Sequence, residues 1–86
     1  MRFEVVWLRF AHDDLTNIWI KSRSREMLQE TLSDLEGKLS VNPISAGESR
    51  GGNRRIVFLD EIIAEFLVDV ENSKVFVVRL HPRKTK

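Results

Sequence analysis

The sequence predicts an α+β domain of order β-α-α-β-β-β, with a mostly antiparallel four-stranded sheet covered on one face by an αα-hairpin. Three observations carry that expectation. The C-terminal third, Ile62 to Arg83, holds two runs rich in Val, Phe and Ile about a short polar turn, the pattern of a β-hairpin. Leu28, Leu32, Leu35 and Leu39 recur at four-three-four spacing and form one apolar stripe on a helix. Phe3 to Leu8 and Arg54 to Leu59 are two further β-rich runs. With 86 residues, 42% of them apolar and 31% charged, the chain has room for one modest core and reads as a single domain over residues 1–86.

In chain order, Phe3, Val5 and Trp7 share one face of the first strand. From about Ala11 to Lys21 the spacing turns helical, with Leu15, Ile18 and Trp19 on one stripe, Asp13 and Asp14 in the first turn and Lys21 in the last. Trp19 reads as a core residue. Ser22-Arg23-Ser24 interrupts the helix, and Ser24 suits the N-cap of a second helix that runs to about Leu39. Gln29, Glu30, Asp34, Glu36 and Lys38 form its wetted side. Pro43 cannot continue that helix, and Ile44 to Asn53 reads as the longest loop. Its three glycines lack the Walker spacing and the following Lys-Ser/Thr of a phosphate loop, so a flexible turn is expected. Arg54 to Leu59 then forms the second strand, with Ile56 and Phe58 on one face and Arg55, Val57 and Leu59 on the other.

Alternation sets the expected register of the hairpin. A loop centred on Ser73 opposes Val70 to Phe76, Val68 to Val78 and Phe66 to Leu80, with Glu65 opposite His81 and Leu67 opposite Arg79 on the reverse side. The helical pair is then expected to cover Ile56, Phe58, Phe66, Val68, Val78 and Leu80.

Composition narrows the chemistry. There is no cysteine, hence no disulfide framework and no thiolate metal site, which fits a reducing compartment. The opening MRFEVVWLRF carries Glu4 and too short an apolar run for a signal peptide or a membrane span, so a cytoplasmic location and no membrane partner are expected. Two histidines 69 positions apart make no metal set, and no cofactor fingerprint is present. Net charge is only +1, yet residues 50–55 and 79–86 hold seven of the fourteen Lys and Arg residues and no acid. Such segregation suits either a polyanion or a solvated basic edge.

Were that polyanion an RNA to be cut, cleavage through its 2′-hydroxyl would need a base, cations for the crowded phosphate and a proton donor for the leaving oxygen. His81 can serve as base or acid, Glu48 or Glu65 as base, and Arg54, Arg55 and Arg79 as clamps whose planar forks match phosphate. The competing roles are structural: His81 as a partner of Glu65, and Arg54 or Arg55 as ion-pair partners of Asp60, Glu61 or Glu65. His12 reads as a surface residue. In a meander the second and fourth strands run the same way, so Arg54 and Arg55 lie at the opposite end from Arg83. Glu65 falls near Arg79 and His81. For such cleavage the expected catalytic cluster is His81, Arg79 and Glu65, with Arg50, Arg54, Arg55, Arg83 and Lys84 as RNA contacts.

The element order resembles the RelE/ParE superfamily of bacterial toxin–antitoxin toxins along the whole chain. FEVVWL followed by AHDDLTNIW resembles the start of that family. NPISAGESRGGNRR resembles its Pro-x-x-x-Gly…Arg segment, and VFVVRLHPRK its Val-rich last strand with a basic end. The resemblance implies one of two activities, messenger-RNA cleavage in the ribosomal A site or poisoning of DNA gyrase. It also implies a cognate antitoxin that wraps the toxin; a degenerate toxin would retain only that partner. Measured against the ribonuclease branch, Glu65 stands where a third-strand Arg is usual, no Tyr is present, and Pro82 follows His81.

Overall fold

The computed structural model describes residues 2–83. Its elements are β1 (Glu4–Trp7), α1 (Arg9–Lys21), α2 (Arg25–Val41), α3 (Pro43–Ala46), β2 (Glu48–Ser49), β3 (Arg54–Phe58), β4 (Ile62–Asp69) and β5 (Lys74–Pro82). The sheet has five strands in the order β1-β5-β4-β3-β2. β1 runs parallel to β5, and the other neighbours are antiparallel. The α+β class and the helical hairpin are as the sequence predicts, and a short strand and a one-turn helix are additional to it. No helix among the described residues is long and apolar enough to cross a membrane.

Local chemistry accounts for most boundaries. Ser24 caps α2 by accepting from the Met27 N–H at 3.3 Å. Asn42 closes α2 and opens α3, with its side chain accepting from Ser45 N–H and Pro43 sitting where a helix tolerates proline. α1 begins at Arg9, two residues before the expected start, so Asp13 and Asp14 fall beyond its first turn. The added strand arises from a tight hairpin. Gly51 and Gly52 take φ of +94° and +56°, which residues with a side chain rarely adopt, and Arg50 N–H bonds Arg54 O at 2.8 Å.

Leu28, Leu35 and Leu39 are fully buried against Val57, Leu59, Ile62, Ala64, Phe66, Val75, Val77 and Leu80, with Leu32, Trp7, Ile18, Trp19 and Val68 packed around them. This corrects two expected faces. β3 and the residue that follows it present Val57 and Leu59 to the core, leaving Ile56 half-buried and Phe58 exposed on the other side. Along β5 the buried residues are Val75, Val77 and Leu80, whereas Val78 is only half-buried.

The hairpin register is corrected as well. Glu65 opposes Arg79, Ala64 opposes Leu80 and Ile63 opposes His81, whereas Phe66 opposes Val77 and Val68 opposes Val75. A β-bulge between Glu65 and Phe66 leaves Val78 as the extra residue. The turn spans Val70 to Ser73, closed by the pair Asp69 and Lys74. Asp69 holds it by accepting from Asn72 N–H at 3.2 Å and Asn72 Nδ2 at 2.8 Å.

One glycine is required by space. A Cβ at Gly47 would lie 2.5 Å from Ile56 O and 2.8 Å from Phe66 Cζ. Gly47→Ala is therefore expected to cost about 1–3 kcal/mol of unfolding free energy by forcing β3 or Phe66 aside. A urea midpoint equal to that of the parent would show that the segment yields without cost.

Candidate functional site

The helices cover one side of the sheet. The other side carries Arg54, Ile56 and Phe58 of β3, Ile63, Glu65 and Leu67 of β4, and Phe76 and His81 of β5, all half-buried or exposed. Glu65 is the centre of its polar part. Its Oε1 lies 2.8 Å from His81 Nε2, and its Oε2 lies 3.6 Å from Arg54 Nε. The Glu65 side chain is 20% exposed and the His81 side chain 44%, so the pair is open to a ligand. With Glu65 as a carboxylate, Nε2 is the donor of this pair, and in the neutral ring Nδ1 is then an acceptor.

The sequence places Arg54 and Arg83 at opposite ends of the sheet, and they are: Arg54 opposes Leu67, whereas Arg83 lies beyond His81. What unites the site is Glu65, which reaches the cation of β3 on one side and the imidazole of β5 on the other. The pairings anticipated for these residues as structural partners, His81 with Glu65 and Arg54 with Glu65, are the contacts present.

Arg79 opposes Glu65 in register, yet its guanidinium is held elsewhere. Nε donates to Asp14 Oδ2 at 2.7 Å and Nη2 donates to Oδ1 at 3.1 Å, a bidentate fork. Asp14 Oδ2 also accepts from Leu80 N–H at 3.0 Å, beyond the point where β1 stops flanking β5. The exposed Phe10 ring lies 5.9 Å from the same guanidinium. Asp14 is the member of this neighbourhood that sequence reasoning missed. It stands 65 positions from Arg79, and no local pattern links a helical acid to a strand that far away.

The remaining cations divide. Arg55 is turned towards the α3–β2 segment, where Nη2 donates to the carbonyls of Ile44 and Gly47 at 2.7 and 2.9 Å. Its Nε is buried with no hydrogen-bond partner among the described residues. Arg50 is 3.6 Å from Glu48 and well exposed. Arg83 donates to Leu59 O at 2.9 Å and lies over the Phe58 ring at 5.5 Å. Lys84 lies outside the described residues.

The hydrogen bonds from Arg79 hold the Asp14 carboxyl below the ordinary carboxylate range, against the opposing effect of burial, and Leu80 N–H adds to the lowering. A carboxylate lowered on folding stabilises the native state above its unfolded pKa, and that contribution is lost as pH falls through the folded value. Stability is thus expected to fall as the pH drops below about 4, and less steeply in Asp14→Asn. Asp69, lowered by Asn72, acts in the same direction and keeps part of the slope in that variant. Urea midpoints across the acid range, identical in the two proteins, would contradict the linkage.

No protein-family model matches the chain, and no curated protein matches it. Solved structures do. A chain of the toxin–antitoxin complex RelBE2 from Mycobacterium tuberculosis superposes with a TM-score of 0.81 at 17% identity, covering 96% of this chain and 100% of that one. The fold is that of the RelE/ParE toxins. A chain of the chromosomal ParDE toxin–antitoxin system from P. aeruginosa gives a TM-score of 0.71 at 20% identity, covering 95% and 97%. The isolated E. coli RelE toxin gives 0.61 at 21% identity, covering 98% and 87%. The RelE/ParE fold thus spans nearly the whole chain, as the resemblance of its segments implies.

Proposed function

We propose that this chain is the toxin half of a toxin–antitoxin pair, and that it blocks translation in the cytoplasm by cutting messenger RNA without a metal. The supporting observation is the Glu65–His81 contact of 2.8 Å on the sheet face that none of the described helices covers, with Arg54 beside it. In this reading His81 Nδ1 takes the proton of a ribose 2′-hydroxyl, and Glu65 stabilises the resulting imidazolium through Nε2. The 2′-oxygen attacks the adjacent phosphorus and the bond to the 5′-oxygen breaks. That oxygen collects a proton from the imidazolium, leaving a 2′,3′-cyclic phosphate and a 5′-hydroxyl. Arg54, Arg79 and Arg83 are the phosphate contacts nearest this centre, and Arg50 extends them. The similarity to chains from toxin–antitoxin complexes supports a protein antitoxin as the second partner.

A second reading has its own support. Arg50, Arg54 and Arg79 each already face a carboxylate, so much of the basic surface is neutralised, as suits a protein target such as DNA gyrase. Controlled expression in a bacterial host separates the two. RNA cleavage predicts translation arrest, transcripts with new 5′-hydroxyl ends, and relief by the product of a neighbouring small gene. Arrest with intact transcripts and accumulating gyrase–DNA adducts would establish the second reading instead, and unimpaired growth would refute both.

A further inference from the structure

We infer that Asp14 is an internal stand-in for phosphate, a specificity-determining residue whose carboxylate occupies the fork of Arg79 and must be displaced before that fork grips a polyanion. This rests on the reading of the open sheet face as an RNA-binding surface. The geometry is that of anion recognition. Two parallel donors of Arg79, Nε and Nη2, meet the two oxygens of one carboxylate at 2.7 and 3.1 Å, the positions two phosphate oxygens would take. Asp14 is itself fixed by Leu80 N–H, and its side chain is only 17% exposed against 46% for Arg79. The carboxylate therefore belongs to the fold, while the guanidinium stands at the surface.

An anion approaching Arg79 meets this negative charge from any direction. If it comes side-on, it must remove Asp14 from Nε and Nη2. If it comes end-on, to Nη1 and the free hydrogen of Nη2, the carboxylate repels it. A single phosphate gains too little there to compete. A nucleic acid strand held at the same time by Arg54 and Arg83 brings its next phosphate to Arg79 at high local concentration and competes well. Asp14 thus selects strands over isolated phosphate and offsets the charge of Arg79 in the unbound chain.

The test is binding of a fluorescently labelled oligouridylate, measured across a series of potassium chloride concentrations. It uses the parent chain, Asp14→Asn, Asp14→Glu, Arg79→Ala and the double variant Asp14→Asn with Arg79→Ala. Asparagine keeps a carbonyl oxygen for Leu80 N–H, and near-ultraviolet circular dichroism of Trp7 and Trp19 reports whether the packing persists. Asp14→Asn is expected to bind about threefold to tenfold more tightly at low salt, with the slope of log K against log salt steeper by about 0.7, one added contact on a single strand. Neither change is expected in the Arg79→Ala background, and Asp14→Glu should retain the parent slope. An equal gain with and without Arg79 would reduce the effect to net charge and overturn the inference, as would an unchanged slope in Asp14→Asn. If the parent binds with unchanged slopes throughout, the role of Asp14 fails alone. If no variant binds, the RNA reading of the face fails with it.

Discussion

Phe66→Ala is expected to lower the unfolding free energy by about 3–5 kcal/mol, a large share of the roughly 5–15 kcal/mol that holds a small domain together. Phe66 is the largest fully buried side chain of the described residues. It sits in the middle of β4, with Val77 opposite on β5, and its ring is pressed against the backbone at Gly47. Its neighbours come from a strand pair, a helix stripe and the α3–β2 segment, so no single element can move in to refill the space. Urea denaturation reads the loss directly as a lower midpoint. A change below about 1 kcal/mol would show that the core collapses around the vacancy, and that the sheet is less rigid than its packing implies.

His81→Ala is expected to slow RNA cleavage by about 10²–10⁴-fold, the usual contribution of a positioned acid–base group. The fall should appear in kcat. The contacts proposed to bind the strand are arginines, so KM should move little. The half-exposed imidazole is tied to the fold by its bond with Glu65, and circular dichroism should therefore be unchanged. Glu65→Gln should give a smaller loss, since the amide still accepts from Nε2 but no longer offsets the charge of the imidazolium. Cleavage at the parent rate in His81→Ala would remove the dyad from the mechanism and direct attention to the protein-target reading.

Much of the fold is legible in the sequence because its signals are local. The leucine spacing of α2, the Ser24 cap and the Val-rich hairpin each reflect chemistry within a few residues, and each is found where expected. β2 is not legible, because two residues in a Gly- and Ser-containing stretch acquire their strand character only from pairing with β3. The face of β3 is misread for another reason. Ile56-Val57-Phe58-Leu59 is apolar at every position, so alternation alone cannot say which side is buried. For the site, the closeness of Glu65 to His81 follows from strand parity. The hold of Asp14 on Arg79 depends on how α1 lies along β5, which nothing in either segment announces.

The single extra residue at Val78 bears on the chemistry more than on the packing. Val75 and Val77 set a two-residue rhythm that, continued without interruption, would carry Arg79 and His81 into the core and put Leu80 in solvent. The bulge shifts the phase of the strand by one, so that one continuous β5 is hydrophobic inside along both halves while its far half delivers an imidazole and a guanidinium to the outer surface. The same strand paired without that extra step would thus turn the site inside out, trading a surface dyad for a buried charge. A change of pairing, with no new side chain, is enough to carry a binding group from one side of such a sheet to the other.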